Sequence, residues 1–170
     1  MGFFSRLMGG SDERKTAASE FEILAPVSGE LVHLEKTNDP AFSSRAVGDG
    51  VAVIPNEGCV CAPVSGTVAA LFPTEHALGI MSDDSSAQVM LHIGIDTVKL
   101  EGKGFHALVA QGDHVDAGQP LVEVDFDAVR AAGFDPTVFV IVCERSENST
   151  LREHASGPVA VKEPVVWLSE

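Results

Sequence analysis

Two histidines, His76 and His92, stand in segments whose pattern could bring their imidazoles together. The apolar runs HALGIMS and QVMLHIG flank the polar phrase DDSSA, which is typical of a hairpin loop. If that loop places Ser82 opposite Gln88, then His76 faces Gly94 across the hairpin. The two histidines are then diagonal neighbours on one face, with backbones roughly 7–8 Å apart. A register shifted by one residue would place them on opposite faces.

Two converging imidazoles suit phosphoryl transfer. A neutral imidazole nitrogen is a good nucleophile near pH 7 because the pKa of histidine is about 6.5. The second imidazole can donate a hydrogen bond to the phosphoryl oxygens as charge gathers on them. Thr74 lies just before His76 and could orient its ring, and Gly94 beside His92 could let a phosphate or a partner backbone approach. The pair is therefore a candidate site for phosphoryl chemistry.

Zinc is the alternative occupant of a paired-histidine site. A zinc ion needs about four ligands, and the sequence offers two obvious ones here, His76 and His92. We therefore expect no metal within one chain unless a partner supplies further ligands, and we expect no cofactor. The remaining histidines are expected to be structural or solvated: His33, His106, His114 and His154.

The elements that must position these residues are predicted to be strands. From Phe21 onward, short β-branched runs recur between Gly, Pro, Asn and Asp. Many short strands at close spacing predict an all-β fold, an antiparallel β-sandwich or barrel. The phrase DFDAVRAAG is the one clear helix candidate, with Gly133 at its end and Pro136 beyond.

The phrase APVSG occurs twice, at Ala25–Gly29 and at Ala62–Gly66, an offset of 37 positions. Proline fixes φ, serine bonds nearby backbone and glycine permits positive φ, so each phrase predicts a turn between two strands. A Gly-Asp phrase follows each one, at Gly48-Asp49 and at Gly112-Asp113. We interpret this order as two related half-motifs and expect the two Gly-Asp turns to occupy equivalent positions.

Residues 20–170 are expected to form one domain, preceded by a flexible segment at residues 1–19. Residues 1–8 could form a short amphipathic helix, because Phe3, Phe4, Leu7 and Met8 share one helical face. Arg6 is the only basic residue near that face, so any contact with a membrane is expected to be weak. No apolar run reaches the roughly 18 residues of a membrane span.

Charge and cysteine content exclude other classes. The formal charge is −14, so a nucleic-acid backbone would be repelled. The odd number of cysteines, 3, argues against a disulfide framework and agrees with a cytoplasmic protein. Cys59 and Cys61 would share one face of a strand, and we expect them to be buried structural thiols.

The phrase LHIGIDTVKLEGKGF resembles the active-site segment of the glucose-type enzyme IIA of the bacterial sugar phosphotransferase system. TEHALGI is similar to the second-histidine segment of that family, and the likeness extends from EILAPVSGELV to GPVAVKEPVV. The opening MGFF resembles the start of the free-standing form. The resemblance implies an antiparallel β-sandwich and a phosphocarrier, a phosphotransferase component that is modified on histidine.

The resemblance also implies roles for individual residues. His92 would be the phosphorylated nucleophile, His76 would stabilise the phosphoryl group and Thr74 would support His76. Asp96 and Asp39 would meet basic residues of the donor protein. An apolar collar would dock partners, formed by Phe42, Val47, Phe72 and Val98.

The implied partners are a histidine-containing phosphocarrier protein as donor and the cysteine of a IIB domain as acceptor. That IIB domain would belong to a membrane permease for glucose or N-acetylglucosamine. The alternative is a regulatory binding protein that uses the same surface to control transporters or metabolic enzymes according to its phosphorylation state.

Overall fold

The computed structural model describes residues 19–170, and antiparallel strands dominate them, as the all-β prediction required. Two short helices, α1 (Pro40–Ser43) and α2 (Phe126–Ala131), and two 3-10 turns, Leu34–Lys36 and Thr97–Leu100, connect strands. The strands are β1 Phe21–Leu24, β2 Gly29–His33, β3 Asp49–Pro55, β4 Cys59–Cys61, β5 Gly66–Leu71, β6 Ala77–Ser82, β7 Ala87–Ile93, β8 Phe105–Ala107, β9 His114–Val115, β10 Pro120–Val124, β11 Val138–Arg145, β12 Thr150–Glu153, β13 Gly157–Val159 and β14 Pro164–Ser169.

These strands form one large sheet and two small ones. The eight-stranded sheet has the order β13-β2-β3-β11-β7-β6-β5-β9, and the three-stranded sheets have the orders β1-β14-β12 and β4-β10-β8. One face of the large sheet contributes alternate residues to the main core, for example Val138 and Val140 of β11. The other face of β11 carries Phe139 and Ile141, which form a smaller cluster with residues of the β2–β3 connection. The ring of His92 lies against two members of this smaller cluster, Phe42 and Phe139.

The two APVSG turns are related by an approximate twofold axis. The Leu24 amide donates to the Pro63 carbonyl at 2.9 Å, and the Cys61 amide donates to the Pro26 carbonyl at 2.7 Å. The two bonds are equivalent, because Leu24 corresponds to Cys61 and Pro26 corresponds to Pro63 at the repeat offset of 37 positions. The strands obey the same exchange, because β1 pairs with β14 as β4 pairs with β10, with a bulge at the same place in both pairs. The repeated phrase is therefore a structural duplication.

The second part of the repeat prediction is wrong, because the two Gly-Asp phrases are not equivalent. Gly48-Asp49 leads into β3, the hairpin partner of β2. Gly112-Asp113 leads into β9, which pairs with the opposite edge of the repeated strand, β5. Strand β9 corresponds instead to β13, as the pairings Gly66↔Val115 and Gly29↔Val159 show.

The predicted helix over DFDAVRAAG is present as α2. The Asp125 side chain accepts from the Ala128 amide at 2.9 Å, which caps the N-terminus of the helix. Gly133 has φ +89°, the left-handed conformation that commonly ends a helix. The expected amphipathic helix at residues 1–8, and the flexible segment to which it would belong, lie outside the described residues apart from Ser19. Within residues 19–170, the helices are too short to span a membrane.

Close backbone approach explains the glycine that ends the second APVSG phrase. A Cβ atom on Gly66 would overlap the Met81 carbonyl oxygen. We predict that Gly66→Ala lowers the free energy of unfolding by about 2–3 kcal/mol, the usual cost of overpacking. Gly79→Ala is the control, because its Cβ would meet only the Gln88 side chain at 3.8 Å. Urea unfolding tests this, and equal midpoints for the two variants would contradict it.

Candidate active site

The hairpin that carries the two histidines has a different register from the expected one. Ala77 lies opposite His92, so the predicted pairing is wrong by one residue. Ser82 causes the shift, because its hydroxyl accepts from the Ala87 amide at 3.1 Å and donates to Asp84 at 2.8 Å. Ala87 thereby joins strand β7 instead of the loop, and the loop is the four residues 83–86.

The two imidazoles meet in spite of this shift. His76 stands just before β6 and follows Glu75, whose φ is +61°, so strand alternation does not govern its side chain. The His76 carbonyl accepts from the Ile93 amide at 2.7 Å, which anchors the end of the turn to β7. The ring centroids of His76 and His92 are 5.1 Å apart, with an angle of 82° between the ring planes.

A backbone carbonyl sets the tautomer of His92. Its Nδ1 lies 2.8 Å from the Gly94 carbonyl oxygen. A carbonyl can only accept, so Nδ1 carries the proton and the neutral ring presents the lone pair of Nε2. The nitrogen of His92 that keeps its lone pair is therefore Nε2, while Nδ1 is engaged by the backbone.

The expectation that Gly94 leaves space for a phosphate is wrong. Gly94 has φ +80°, and a Cβ atom there would overlap the Thr97 side chain and approach the Asp135 carbonyl oxygen at 3.0 Å. The site needs glycine because Thr97 packs against this turn, with its hydroxyl donating to the Ile93 carbonyl at 2.5 Å. The glycine thus positions the carbonyl that orients His92.

Asp135 ties together the two loops beside His92, and sequence reasoning missed it. Its side chain accepts from the Thr137 amide at 2.9 Å and from the Asn38 amide group at 3.1 Å. Its carbonyl accepts from the Ile95 amide at 2.9 Å. Burial raises the pKa of Asp135, but the Thr137 hydrogen bonds outweigh it and the net shift is downward. The DPT phrase before β11, an Asp that bonds the backbone two residues on, was the available signal.

Thr74 contacts His76 as the sequence suggested. Its Oγ1 lies 2.6 Å from His76 Nδ1, which fixes the ring orientation. Phe72 stacks on the same ring, with centroids 5.6 Å apart. Both Nδ1 atoms of the histidine pair are therefore engaged, while residues 19–170 supply no hydrogen-bond partner to either Nε2.

The environment keeps both rings neutral. Burial lowers the pKa of His76 below the usual 6.5, and the charge of a protonated His92 would lower it further. Burial also lowers the pKa of His92, although the Gly94 carbonyl and the charges of Asp39 and Asp96 offset part of that effect. Both side chains therefore present neutral imidazoles at pH 7.

Phe42 packs against the ring of His92. It was expected in the apolar collar, but it is only 6% exposed. Its ring stacks on Phe139 at 4.2 Å and tilts against His92 at 5.2 Å. The other three collar residues are exposed, Val47 at 39%, Phe72 at 49% and Val98 at 51%.

Asp39 and Asp96, the two carboxylates expected at the rim of the site, have different surroundings. Asp39 caps α1 by accepting from the Ala41 amide at 2.9 Å, which fixes the helix that carries Phe42. Asp96 is exposed and has φ +60°, at the start of the 3-10 turn that carries Val98. Both charges favour the protonated form of His92, so both lie within electrostatic reach of its ring.

Comparison with known proteins identifies the class to which this site belongs. Residues 21–148 match the family model for the phosphoenolpyruvate-dependent sugar phosphotransferase system, EIIA 1. The chain belongs to this family and is a phosphotransferase component of that system.

Two curated relatives and one solved structure agree with this assignment. The chain is 42% identical over 144 residues to the glucose-specific EIICBA component of Streptococcus pneumoniae, covering 85% of this chain and 20% of the relative. It is 46% identical over 115 residues to the N-acetylglucosamine-specific EIICBA component of Escherichia coli, covering 68% and 18%. The solved glucose permease IIA from Mycoplasma capricolum superposes with a TM-score of 0.80 at 34% identity, covering 88% and 96%. The chain spans about a fifth of the length of these two curated relatives.

The protonation of the pair is a first test of the site. We predict that His76 and His92 both titrate below pH 6.5, whereas His114, which bonds to Asp83, titrates above it. His92→Gln should raise the pKa of His76, because the repulsive charge is removed. Nitrogen-15 NMR titration of the imidazoles measures both effects. A pKa above 6.5 for either site histidine would contradict the account.

The bridge between Asn38 and Asp135 can be tested by exchange. We predict that Asn38→Asp lowers the free energy of unfolding by about 0.5–1 kcal/mol, because two carboxylates then meet without a donor at an exposed site. Adding Asp135→Asn should recover most of that loss, since the donor and acceptor have merely changed places. Urea unfolding of the double-mutant cycle gives the coupling energy. Additive effects of the two substitutions would show that the bridge does not form.

Proposed function

We propose that this chain carries a phosphoryl group on Nε2 of His92 within the sugar phosphotransferase system. The observation that supports this most directly is the engagement of both Nδ1 atoms by the chain itself, by Gly94 and by Thr74. An incoming phosphoryl group is left with Nε2 as the nitrogen to which it can bond. Membership of the EIIA family supports the same chemistry.

In the loading step, the lone pair of His92 Nε2 attacks the phosphorus of a phosphohistidine on the donor, a histidine-containing phosphocarrier protein. The donor N–P bond breaks and its electron pair returns to the donor ring. The His92 ring becomes cationic while Nδ1 keeps its proton on the Gly94 carbonyl. No base is needed to remove a proton, because the attacking nitrogen carries none.

In the unloading step, the thiolate of a cysteine on a IIB domain attacks the same phosphorus. The N–P bond breaks, its electrons return to Nε2, and His92 becomes neutral again. Because burial lowers the pKa of His92, the cationic phosphorylated ring is disfavoured, which makes the ring a better leaving group.

His76 stabilises the phosphoryl group during both steps. If the Thr74 hydroxyl donates to Nδ1 of His76, then Nε2 of His76 carries the proton and can donate it in a hydrogen bond. The ring centroids are 5.1 Å apart, so a phosphoryl group on His92 would lie within reach of that donor. Such preorganised donors contribute most where charge develops on the transferred oxygens.

Partners would dock on an apolar collar formed by the exposed side chains of Val47, Phe72 and Val98. Asp39 and Asp96 would meet basic residues of the donor. The acceptor would be the IIB domain of a glucose- or N-acetylglucosamine-type permease, as the names of the relatives suggest. The chain would then act on the cytoplasmic side of the membrane.

Substitution of His92 and substitution of His76 should impair different steps of phosphoryl transfer. We predict that His92→Gln abolishes phosphorylation by the upstream carriers, whereas His76→Gln is still phosphorylated but transfers onward about a hundredfold more slowly. The reason is that His92 forms the covalent bond and His76 contributes hydrogen bonding to the moving charge. Labelled phosphoenolpyruvate with the upstream carriers measures loading, and a purified IIB domain measures unloading.

His106→Gln is the matched control, since His106 is an exposed residue of β8 that, within residues 19–170, makes no hydrogen bond and no ring contact to His76 or His92. It should load and unload like the wild type. Stable label on the His92 variant would remove His92 from its role. Normal onward transfer from the His76 variant would reduce His76 to a structural residue.

A further inference from the structure

The turn between β5 and β6, residues 72–76, carries the second histidine of the site together with the side chains that hold its ring. Phe72 stacks on the ring of His76, and Thr74 Oγ1 lies 2.6 Å from its Nδ1. The Phe72 carbonyl accepts from the Glu75 amide at 2.8 Å, which closes the turn on itself. The turn is therefore one unit, and the direction of the His76 ring follows the placement of that unit.

Beyond its own strands, two hydrogen bonds join this turn to the rest of residues 19–170, and they start from consecutive residues. The His76 carbonyl accepts from the Ile93 amide at 2.7 Å, which holds the turn to β7. The half-buried Glu75 side chain accepts from the Ala107 amide at 3.1 Å, which holds the turn to β8. Strand β8 lies at the edge of the sheet β4-β10-β8, where a strand has amides that no neighbouring strand pairs. One bond alone would let the turn tilt, whereas two bonds to different sheets fix it.

Glutamate is an unusual residue for the backbone conformation at this position. Glu75 has φ +61°, in the left-handed region that glycine and asparagine adopt most readily. Turn formation alone would therefore favour another residue, and it is the long side chain that supplies the bond to Ala107. Burial and the charge of a protonated His92 are the causes that lower the pKa of His76, and Glu75 is not among them. The carboxylate thus bears on His76 through placement of the turn and not through its charge.

We propose that Glu75 is a positioning residue for phosphoryl transfer. Its bond to Ala107 aims Nε2 of His76 at the phosphoryl group that the nucleophile carries, an inference that rests on the role of His76 in the proposed function. A hydrogen-bond donor stabilises developing charge when its geometry is set in advance, and a displacement of about 1 Å can cost about a hundredfold in rate. Loss of the Glu75 bond should therefore slow transfer to the IIB domain, while His92 is still loaded.

Three variants separate the effect of the side chain from that of the backbone. Glu75→Gly keeps the left-handed conformation without steric cost but removes the acceptor. Glu75→Gln keeps an acceptor oxygen at the same reach and removes the charge. Ser85→Gly is the matched control at the other end of β6, because the exposed Ser85 has φ +59° and its amide donates to the Ser82 carbonyl at 2.9 Å. That substitution repeats the backbone change of Glu75→Gly in a turn that does not carry a histidine.

The test measures loading and onward transfer separately for each full-length variant. Labelled phosphoenolpyruvate with the upstream carriers loads the chain, and the rate of transfer to a purified IIB domain follows. We expect Glu75→Gly to load like the wild type and to transfer about tenfold more slowly, with Glu75→Gln and Ser85→Gly within about twofold of the wild type. In a His76→Gln background, Glu75→Gly should cause no further loss, because it acts through that ring. Circular dichroism establishes that each variant is folded. Glu75→Asn replaces Glu75→Gly if the latter is not, since asparagine tolerates the left-handed conformation and its side chain is shorter.

Onward transfer at the wild-type rate by Glu75→Gly would overturn the inference, as would an undiminished loss in the His76→Gln background. Transfer by Glu75→Gln as slow as that by Glu75→Gly would also overturn it, because the charge and not the bond would then matter. The His76→Gln single variant separates this inference from the proposed function. If that variant transfers normally, the role of His76 fails and the inference falls with it. If it transfers slowly while Glu75→Gly transfers normally, the role of Glu75 alone is wrong.

Discussion

The hydrogen bond from His92 Nδ1 to the Gly94 carbonyl is the constraint on which the site depends. It fixes which nitrogen of the neutral ring keeps its lone pair, and it depends on the sharp turn that follows β7. The Gly94 amide donates to the Thr137 carbonyl at 2.8 Å, and the Ile95 amide donates to the Asp135 carbonyl. A turn held on both sides in this way lets a backbone atom do what a side-chain carboxylate does in many other histidine sites. Because a carbonyl has no charge, it orients the ring without raising its pKa as strongly as a carboxylate would.

The duplicated fold accounts for the position of this turn, but the histidine pair belongs to the second half. The two halves meet at β11 and β7 in the middle of the large sheet, and the site lies beside that junction. Pro55 pairs with Gly29 as Ser82 pairs with Gly66, so Pro55 and Ser82 are equivalent. The same alignment of β3 with β6 makes Asp49 in the first half equivalent to His76 in the second. Asp49 is occupied by ion pairs with Arg45 at 3.3 Å and Arg145 at 3.4 Å. The first half thus carries an ion-paired carboxylate at this place, while in the second half no residue within 19–170 bonds Nε2 of His76.

Sequence reasoning reached the fold and the histidine pair because both leave local signals. Alternating strands, the repeated APVSG turn and the capped helix at Asp125 are read from neighbouring residues. The hairpin register was missed because the Ser82 side chain, and not a backbone group, closes the loop beside Ala87. Phe42 and Gly94 were assigned to partner contacts because an apolar residue and a glycine look alike in sequence whether they face a partner or the chain itself. The Asp-Pro-Thr phrase signals only the local turn at Asp135, whereas the bond from Asn38 to Asp135 joins residues 97 positions apart and leaves no local pattern.

The central claim is that the phosphoryl group resides on one defined nitrogen of one histidine, and the most direct measurement identifies that nitrogen. Nitrogen-15 NMR of the phosphorylated chain, labelled in its histidine rings, resolves phosphorus–nitrogen coupling at each ring position. The account predicts coupling at Nε2 of His92, together with a proton that remains on Nδ1 and is protected from exchange by the Gly94 carbonyl. Coupling at Nδ1 of His92, or at any nitrogen of His76, would contradict it.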